Sequence, residues 1–339
     1  MVKILVIGAG AVGLSTAVCM QRSIDGANMT IFAEKFGVDT TSDGAAGIFR
    51  PLPPDIPDDM IRPWLAESWK YYDSIASSGE GSIAGVFPVS GYDLYPEKSP
   101  IPPAYRDYVY HYRPCTKREL QVQFNNKYKA GFFISTLMVE GRKYLPWLTK
   151  QFLGEGGKIQ AIKVKSLADI DSSFDVIVNC SGSGSFELVD DKNMYPIQGQ
   201  LTRVKADWVK HFYYDVENST YIVPGANNVV LGGTKVVGDA STVANSETRE
   251  QVFTRCCQLL PSLKEATFLW DWVGIRPGRV INPRVEAGIE TINHKRRMVV
   301  HNYGHAADGV ALSWGTAVQA TKLLKQLLNE QTSIVCAKL

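Results

Sequence analysis

Residues Val2-Lys3-Ile4-Leu5-Val6-Ile7-Gly8-Ala9-Gly10-Ala11-Val12-Gly13 form an apolar run that ends in Gly-x-Gly-x-x-Gly, and a second apolar run, 29–33, ends at the acidic Glu34. Such a pair reads as strand, turn, helix, strand and acid, the unit that binds an adenine dinucleotide. Gly8 allows the tight turn out of the strand. Gly10 lets the backbone approach a pyrophosphate, and Gly13 lets the helix pack against the strand. The helix starting near Ala11 aims unpaired N–H groups and the positive end of its dipole at the phosphates. Glu34, 21 positions after Gly13, is spaced to take both ribose hydroxyls. Its carboxylate would repel a 2′-phosphate, which disfavours NADP.

Composition narrows the class. The chain has 339 residues, 45% of them hydrophobic and 21% charged, which suits about two globular domains with sizeable cores. A net charge of +2 gives no footprint for nucleic acid, and the one basic cluster, Lys295-Arg296-Arg297, reads as a hairpin turn. No apolar stretch reaches the roughly 20 residues of a membrane span, and the N-terminus enters a strand without a signal peptide, so a soluble, non-secreted protein is expected. The cysteines 19, 115, 180, 256, 257 and 336 lack metal-site spacing and read as reduced thiols, with no metal expected.

The nucleotide-binding pieces recur along the chain. Phe174 to Gly184 is a short apolar strand running into small residues, as where a parallel strand delivers backbone to a cofactor. Met298 to Gly309 is another strand and glycine-containing loop, followed by a helix expected over about 310–329, with an apolar stripe at 317, 320, 324, 327 and 328. Two stretches between them are rich in tyrosine, tryptophan and strand formers, with candidate strands at 200–205, 220–223 and 228–232. The expected fold is therefore α/β, α+β overall: a split Rossmann-type domain (1–50, 143–191 and 271–339) carrying an inserted mixed or antiparallel β-sheet substrate domain (51–142 and 192–270).

The chain closes on Ala337-Lys338-Leu339, similar to the Ser-Lys-Leu tripeptide read by the peroxisomal import receptor. That address gains weight if the chemistry yields hydrogen peroxide.

Six blocks carry a family resemblance: Thr40-Thr41-Ser42-Asp43-Gly44-Ala45-Ala46-Gly47, Gly141 to Leu148, Tyr221-Ile222-Val223-Pro224-Gly225, Leu231-Gly232-Gly233-Thr234, Gly274-Ile275-Arg276-Pro277 and His301-Asn302-Tyr303-Gly304-His305. In this order, over essentially the whole chain, they resemble the D-amino-acid oxidase and D-aspartate oxidase family. The resemblance implies non-covalent FAD, oxidative deamination of D-amino acids by molecular oxygen to 2-oxo acid, ammonia and peroxide, and a peroxisomal location. It assigns cofactor contacts to Gly8, Ala9, Gly10, Ala11, Val12, Gly13, Glu34, Lys35, Thr40, Thr41, Ser42, Gly47, Ile48, Val164, Ser181, Gly182, Gly304, His305, Gly309, Val310 and Ala311.

For the substrate, a planar guanidinium can meet an α-carboxylate with two parallel charge-assisted hydrogen bonds. The resemblance gives that part to Arg276, with a hydroxyl from Tyr221. It gives the substrate amine to the backbone carbonyl of Ala307. No general base is implied, because the family moves hydride to flavin N5 with the amine lone pair assisting. His305 is then a support for the flavin loop; His111 and His211 have no motif context. The helix near Gly309 would aim N–H groups at the flavin N1 and C2 carbonyl.

Substrate choice turns on three positions. The ungapped segment 211–221 resembles the aspartate-oxidising members, yet their arginine is Tyr214 here, and the arginine of Gly-Gly-Thr-Arg is Lys235. Arg50, where relatives carry neutral residues, is expected to compensate, unless it turns to solvent or to the acidic loop 55–59. The reading favours an acidic D-amino acid, with neutral D-amino acids as the alternative. A NAD-dependent dehydrogenase or a non-catalytic nucleotide binder is the remote one, and a homo-oligomer is left open.

Overall fold

A computed structural model describes residues 1–52, 56–97 and 101–336, with side chains to residue 331. The tripeptide Ala337-Lys338-Leu339 lies outside the described residues. Two sheets organise them. The first holds β1 (Lys3–Ile7), β2 (Asn28–Ala33), β6 (Lys158–Ala161), β7 (Val176–Asn179), β14 (Arg284–Ile292) and β15 (Lys295–Tyr303), in the order β14-β15-β7-β1-β2-β6. All pairs are parallel except the β14–β15 hairpin. Helices cover the central strands, so β1 and β7 read as unbroken apolar runs; Ile4, Leu5, Val6, Val176, Ile177 and Val178 are fully buried.

The basic cluster is not the hairpin turn. That turn is Asn293-His294, both with φ near +50 to +62°, as a two-residue hairpin of the primed type demands. Lys295-Arg296-Arg297 instead opens β15, and buried Arg297 donates to the Ile170 carbonyl at 3.1 Å.

The second sheet contains β3 (Val86–Tyr95), β4 (His111–Pro114), β5 (Ala130–Val139), β8 (Met194–Lys205), β9 (His211–Asp215), β10 (Thr220–Pro224), β11 (Val229–Gly232), β12 (Val236–Val237) and β13 (Thr267–Arg279). Its order is β12-β8-β11-β10-β9-β3-β5-β4, with β13 also on β8. It is mixed, since β3 and β9 run parallel and the other pairs antiparallel. The strand expected at 200–205 begins earlier, at Met194, and β13 runs through the expected boundary at 270/271 as part of this sheet.

The first helix, Ala11–Ser23, packs on the last, Gly309–Cys336, which extends past the expected end near 329. Small residues permit the contact: Ser15 and Ser313 hydroxyls meet at 3.0 Å, both buried. The helix Asp58–Ala76 also lies on the last helix, where Gly315 admits it; a Cβ there would fall 2.1 Å from the Trp64 carbonyl oxygen.

Candidate active site

The turn after β1 is as tight as its glycines require. Gly8 has φ +111°, and a Cβ on it would stand 2.4 Å from the Cys180 carbonyl oxygen; one on Gly13 would stand 2.1 Å from the Gly8 oxygen. Gly10 differs, for the nearest atom to its missing Cβ is Ser42 Oγ at 3.1 Å. Among the described residues the first helix has no side-chain cap, and only its Ala11 N–H meets a side chain, donating to Ser42 Oγ at 3.0 Å. Ala9 is buried and lines a cleft of about 650 Å³ with Phe36 and Gly37.

Other candidate cofactor residues surround this turn. Glu34 stands exposed after β2, paired with Lys163 at 3.1 Å; Lys35 is exposed beside it, and Val164 packs against the core under β1. Thr40 closes its own turn onto the Gly37 carbonyl, while Thr41 Oγ1 donates to the Ile275 carbonyl at 3.0 Å. Gly47, at φ +78°, lies against the Val139 carbonyl, and Ile48 bridges Met138. The 40–48 segment thus ties the first helix to β5 and β13. Asn179 Oδ1 accepts from the Ser181 N–H and hydroxyl, ahead of Gly182 at φ +59°.

Across from this turn, Gly304 at φ +86° leads into His305, Ala306, Ala307 and the start of the last helix at Gly309, Val310 and Ala311. Burial lowers the His305 pKa to about 4, so the ring is neutral, and its Nε2 meets Thr316 Oγ1 at 3.2 Å. Such a ring supports the loop. A Cβ on Gly309 would find only His305 Cβ at 3.6 Å and Val12 Cγ2 at 4.0 Å. The start of the last helix therefore approaches the start of the first, at Val12, with nothing closer than 3.6 Å to the missing Cβ of Gly309, and two helix N-termini so placed fit a group carrying phosphates and an electron-rich ring.

The substrate candidates meet on the second sheet because of register. Asp93 on β3 lies beside Tyr214 on β9, Tyr214 faces Tyr221 on β10, and Tyr221 faces Gly232 on β11. Residues aligned across a sheet project to the same face. The Tyr221 ring folds over Gly232, whose Cβ would fall 2.0 Å from Tyr221 Cζ. Burial pushes both phenols up, so they remain hydroxyl donors; the positive charge of the nearby Arg276 guanidinium pulls the Tyr221 phenol partly back.

Arg276 lies near the end of β13 over Gly199, where a Cβ would stand 2.3 Å from its Nη2. Its Nη1 donates to the Thr234 carbonyl at 3.2 Å. Arg50 turns neither to solvent nor to the 55–59 loop. Its Nε donates to both Asp93 oxygens at 2.8 Å, and its Cζ lies 4.3 Å from the Tyr214 ring centroid. Burial works against the Arg50 charge, but Asp93 outweighs it and keeps the guanidinium protonated. Lys235 is exposed, and Ala307 is exposed in its loop.

Three charged residues escaped the sequence reading. Asp93 carried no motif. Asp308, within the quoted loop, accepts from the Leu52 N–H at 3.2 Å; burial raises its carboxyl to about 6, against the pull of Leu52, Arg50 and Lys235. Lys163 was the third, and its only signal was opposite charge to Glu34. A cavity of about 660 Å³ lies further along the strands, at Ser90, His211 and Pro224, and contains none of the candidates.

The sequence profile of the family described as FAD dependent oxidoreductase matches residues 3–323. The chain is 39% identical over 330 residues to human D-aspartate oxidase, covering 96% of each. It is 34% identical to D-aspartate oxidase 1 of Caenorhabditis elegans, over 96% of this chain and 98% of that one. To the D-amino-acid oxidase of Rubrobacter xylanophilus it is 33% identical, over 96% and 97%. The solved glycine oxidase from Geobacillus kaustophilus shares the fold, with a TM-score of 0.78 at 16% identity over 96% of this chain and 95% of that one. With this coverage and the dinucleotide turn at its N-terminus, the chain belongs to the FAD-dependent oxidoreductase family, in the group of the D-aspartate and D-amino-acid oxidases.

Proposed function

We propose that this enzyme, an FAD-dependent oxidase that deaminates D-amino acids with molecular oxygen, prefers those with a side-chain carboxylate. The observation that carries the reading is the buried Nη2 of Arg50, which has no acceptor among the described residues, at the Asp93–Tyr214–Tyr221 row. A donor so buried is normally bonded, and a substrate carboxylate supplies the acceptor. The relatives named D-aspartate oxidase agree with this choice. The NAD-dependent and non-catalytic alternatives give way to the family match.

FAD, when bound, supplies the two-electron acceptor that oxygen regenerates. The N-termini of the first and last helices, with Gly8, Gly10, Gly13, Glu34, Ser42 and Gly182, would hold it. Arg276 receives the α-carboxylate, the Tyr221 hydroxyl donates to the same group, and the Ala307 carbonyl accepts from the amine. The site's task is alignment and exclusion of water rather than proton abstraction by a side chain. Lys235, exposed, adds charge at the rim without a grip.

Asp93 favours the neutral-substrate reading, since it already balances the Arg50 charge. Steady-state rates over a panel of D-amino acids decide. The acidic reading expects kcat/KM for D-Asp or D-Glu to exceed that for D-Ala and D-Met, and Arg50→Gln to erase the difference. Faster turnover of the neutral substrates by the unaltered enzyme sinks it.

The two-domain division expected from the sequence, with β13 moved to the substrate unit, is part of the same reading. Ala337-Lys338-Leu339 is read as the address for the peroxisomal import receptor, which suits a peroxide-forming reaction. Deleting it should leave activity intact and shift the enzyme to the cytosol; import of the truncated protein would refute the address.

A further inference from the structure

Asp93 does more than balance the Arg50 charge, for the pair is almost completely buried. The Asp93 side chain is 2% exposed and that of Arg50 9%. Both carboxylate oxygens accept from Arg50 Nε, and the Tyr105 hydroxyl is a third neighbour at 3.4 Å. Strand register sets Asp93 directly beside Tyr214, whose ring has the Arg50 guanidinium against it at 4.3 Å. A guanidinium is planar. Holding its Nε and one of its faces therefore fixes the direction of its remaining N–H groups. One of these, Nη2, is buried and lacks an acceptor among the described residues.

We infer that Asp93 is a positioning residue: it aims Arg50 Nη2 at the side-chain carboxylate of an acidic D-amino acid. The inference rests on the acidic reading above and goes further by naming what makes Arg50 a directional donor. An unanchored arginine on this face would still carry charge but would lose its direction. The carboxylate also explains how a buried cation persists before substrate arrives, because unpaired buried charge is strongly disfavoured. Other charged groups near the pair are Asp308, Lys235 and, beyond the tyrosines, Arg276.

The test is a double-mutant cycle on the flavin-loaded enzyme, read as the ratio of kcat/KM for D-Asp to that for D-Ala. Asp93→Asn should lower the ratio about tenfold through KM for D-Asp rather than kcat. Asp93→Glu, which keeps the charge, should recover part of it. In the Arg50→Gln background, Asp93→Asn should change the ratio by less than about twofold, since the aimed group is already gone. A tenfold loss that persists in that background, or equal losses for D-Asp and D-Ala, overturns the role of Asp93. If Arg50→Gln itself leaves the ratio unchanged, the acidic reading falls and the inference with it. Should Asp93→Asn fail to accumulate as a yellow protein, Asp93→Glu carries the same cycle, and additivity with Arg50→Gln would overturn the proposal.

Discussion

Tyr214 and Tyr221 stand opposite each other across the β9–β10 hairpin, their ring centroids 5.3 Å apart and 29° from parallel, with the Arg50 guanidinium 4.3 Å from the Tyr214 ring. Tyr214 replaces an arginine expected in aspartate-oxidising relatives, and its ring now serves as a platform for another arginine. The ring, more than its hydroxyl, is then what matters for an acidic substrate. Tyr214→Phe should change KM for D-Asp by less than about twofold, whereas Tyr214→Leu removes the cation–π contact and the stacking and should raise it about three- to tenfold. Steady-state kinetics on both variants checks the order; a larger loss in the Phe variant would show that the hydroxyl is the working group.

Gly199 offers a way to move Arg276 without touching it. A Cβ at 199 would overlap the far end of a flexible side chain, so folding should tolerate Gly199→Ala while the guanidinium shifts. We expect thermal stability to stay close to that of the parent and kcat/KM to fall about 10- to 100-fold. Arg276→Leu should cost more, about two to four orders of magnitude, from two lost charge-assisted bonds. Normal turnover in either variant would mean that another residue holds the α-carboxylate.

The glycines of the first turn should separate into two kinds. A methyl at Gly13 strikes the Gly8 backbone at 2.1 Å, so Gly13→Ala should lower the yield of folded protein. At Gly10 a Cβ would meet only the Ser42 hydroxyl, tight at 3.1 Å but the end of one side chain, so Gly10→Asp should still fold as Ser42 shifts, yet set a carboxylate against the pyrophosphate and purify colourless. Circular dichroism and the flavin band near about 450 nm distinguish them. A yellow Gly10→Asp enzyme would remove this turn from the cofactor site.

Asp308 predicts a pH dependence. Burial raises its carboxyl from 3.8 to about 6, so the folded protein keeps a proton that the unfolded chain has already released between those values. Its contribution to stability is thus greatest below pH 3.8 and is lost as pH rises through about 6. For activity the sign favours acid. An ionised Asp308 opposes a substrate carboxylate near Arg50 and Lys235, and a protonated one does not. On lowering the pH from about 7.5 to about 5.5, KM for D-Asp relative to D-Ala should fall about three- to fivefold, because effects on the shared amine cancel in the ratio. The same slope in Asp308→Asn would exonerate this carboxyl.

Much of the cofactor half was legible because its signals are local. Gly8, Gly10, Gly13 and Glu34 sit within one strand–helix–strand unit, where spacing alone fixes geometry. The substrate half was legible by resemblance, which named Arg276 and Tyr221, but the pairing of Arg50 was not. Asp93 is 43 residues from Arg50 and meets it because the segment leading to Arg50 docks on β5, with Ile48 bridging Met138, and β5 pairs with β3, an alignment between pieces far apart in the chain. Nothing in the period or composition of either segment specifies that register. The basic cluster at 295–297 misled for a related reason: a run of charges resembles a turn, while the neighbouring Asn293-His294 supplied the backbone a turn needs.

The approach of Val12 to Gly309 joins residues nearly 300 positions apart. During synthesis the first of these leaves the ribosome long before the second exists. If the starts of both helices hold FAD as proposed, the site stays half built until the last helix arrives, and FAD would stabilise only the fold in which both are present. Cofactor supply would then act on the finished chain rather than on the nascent one, and a chain broken off before residue 309 should not reach the yellow state.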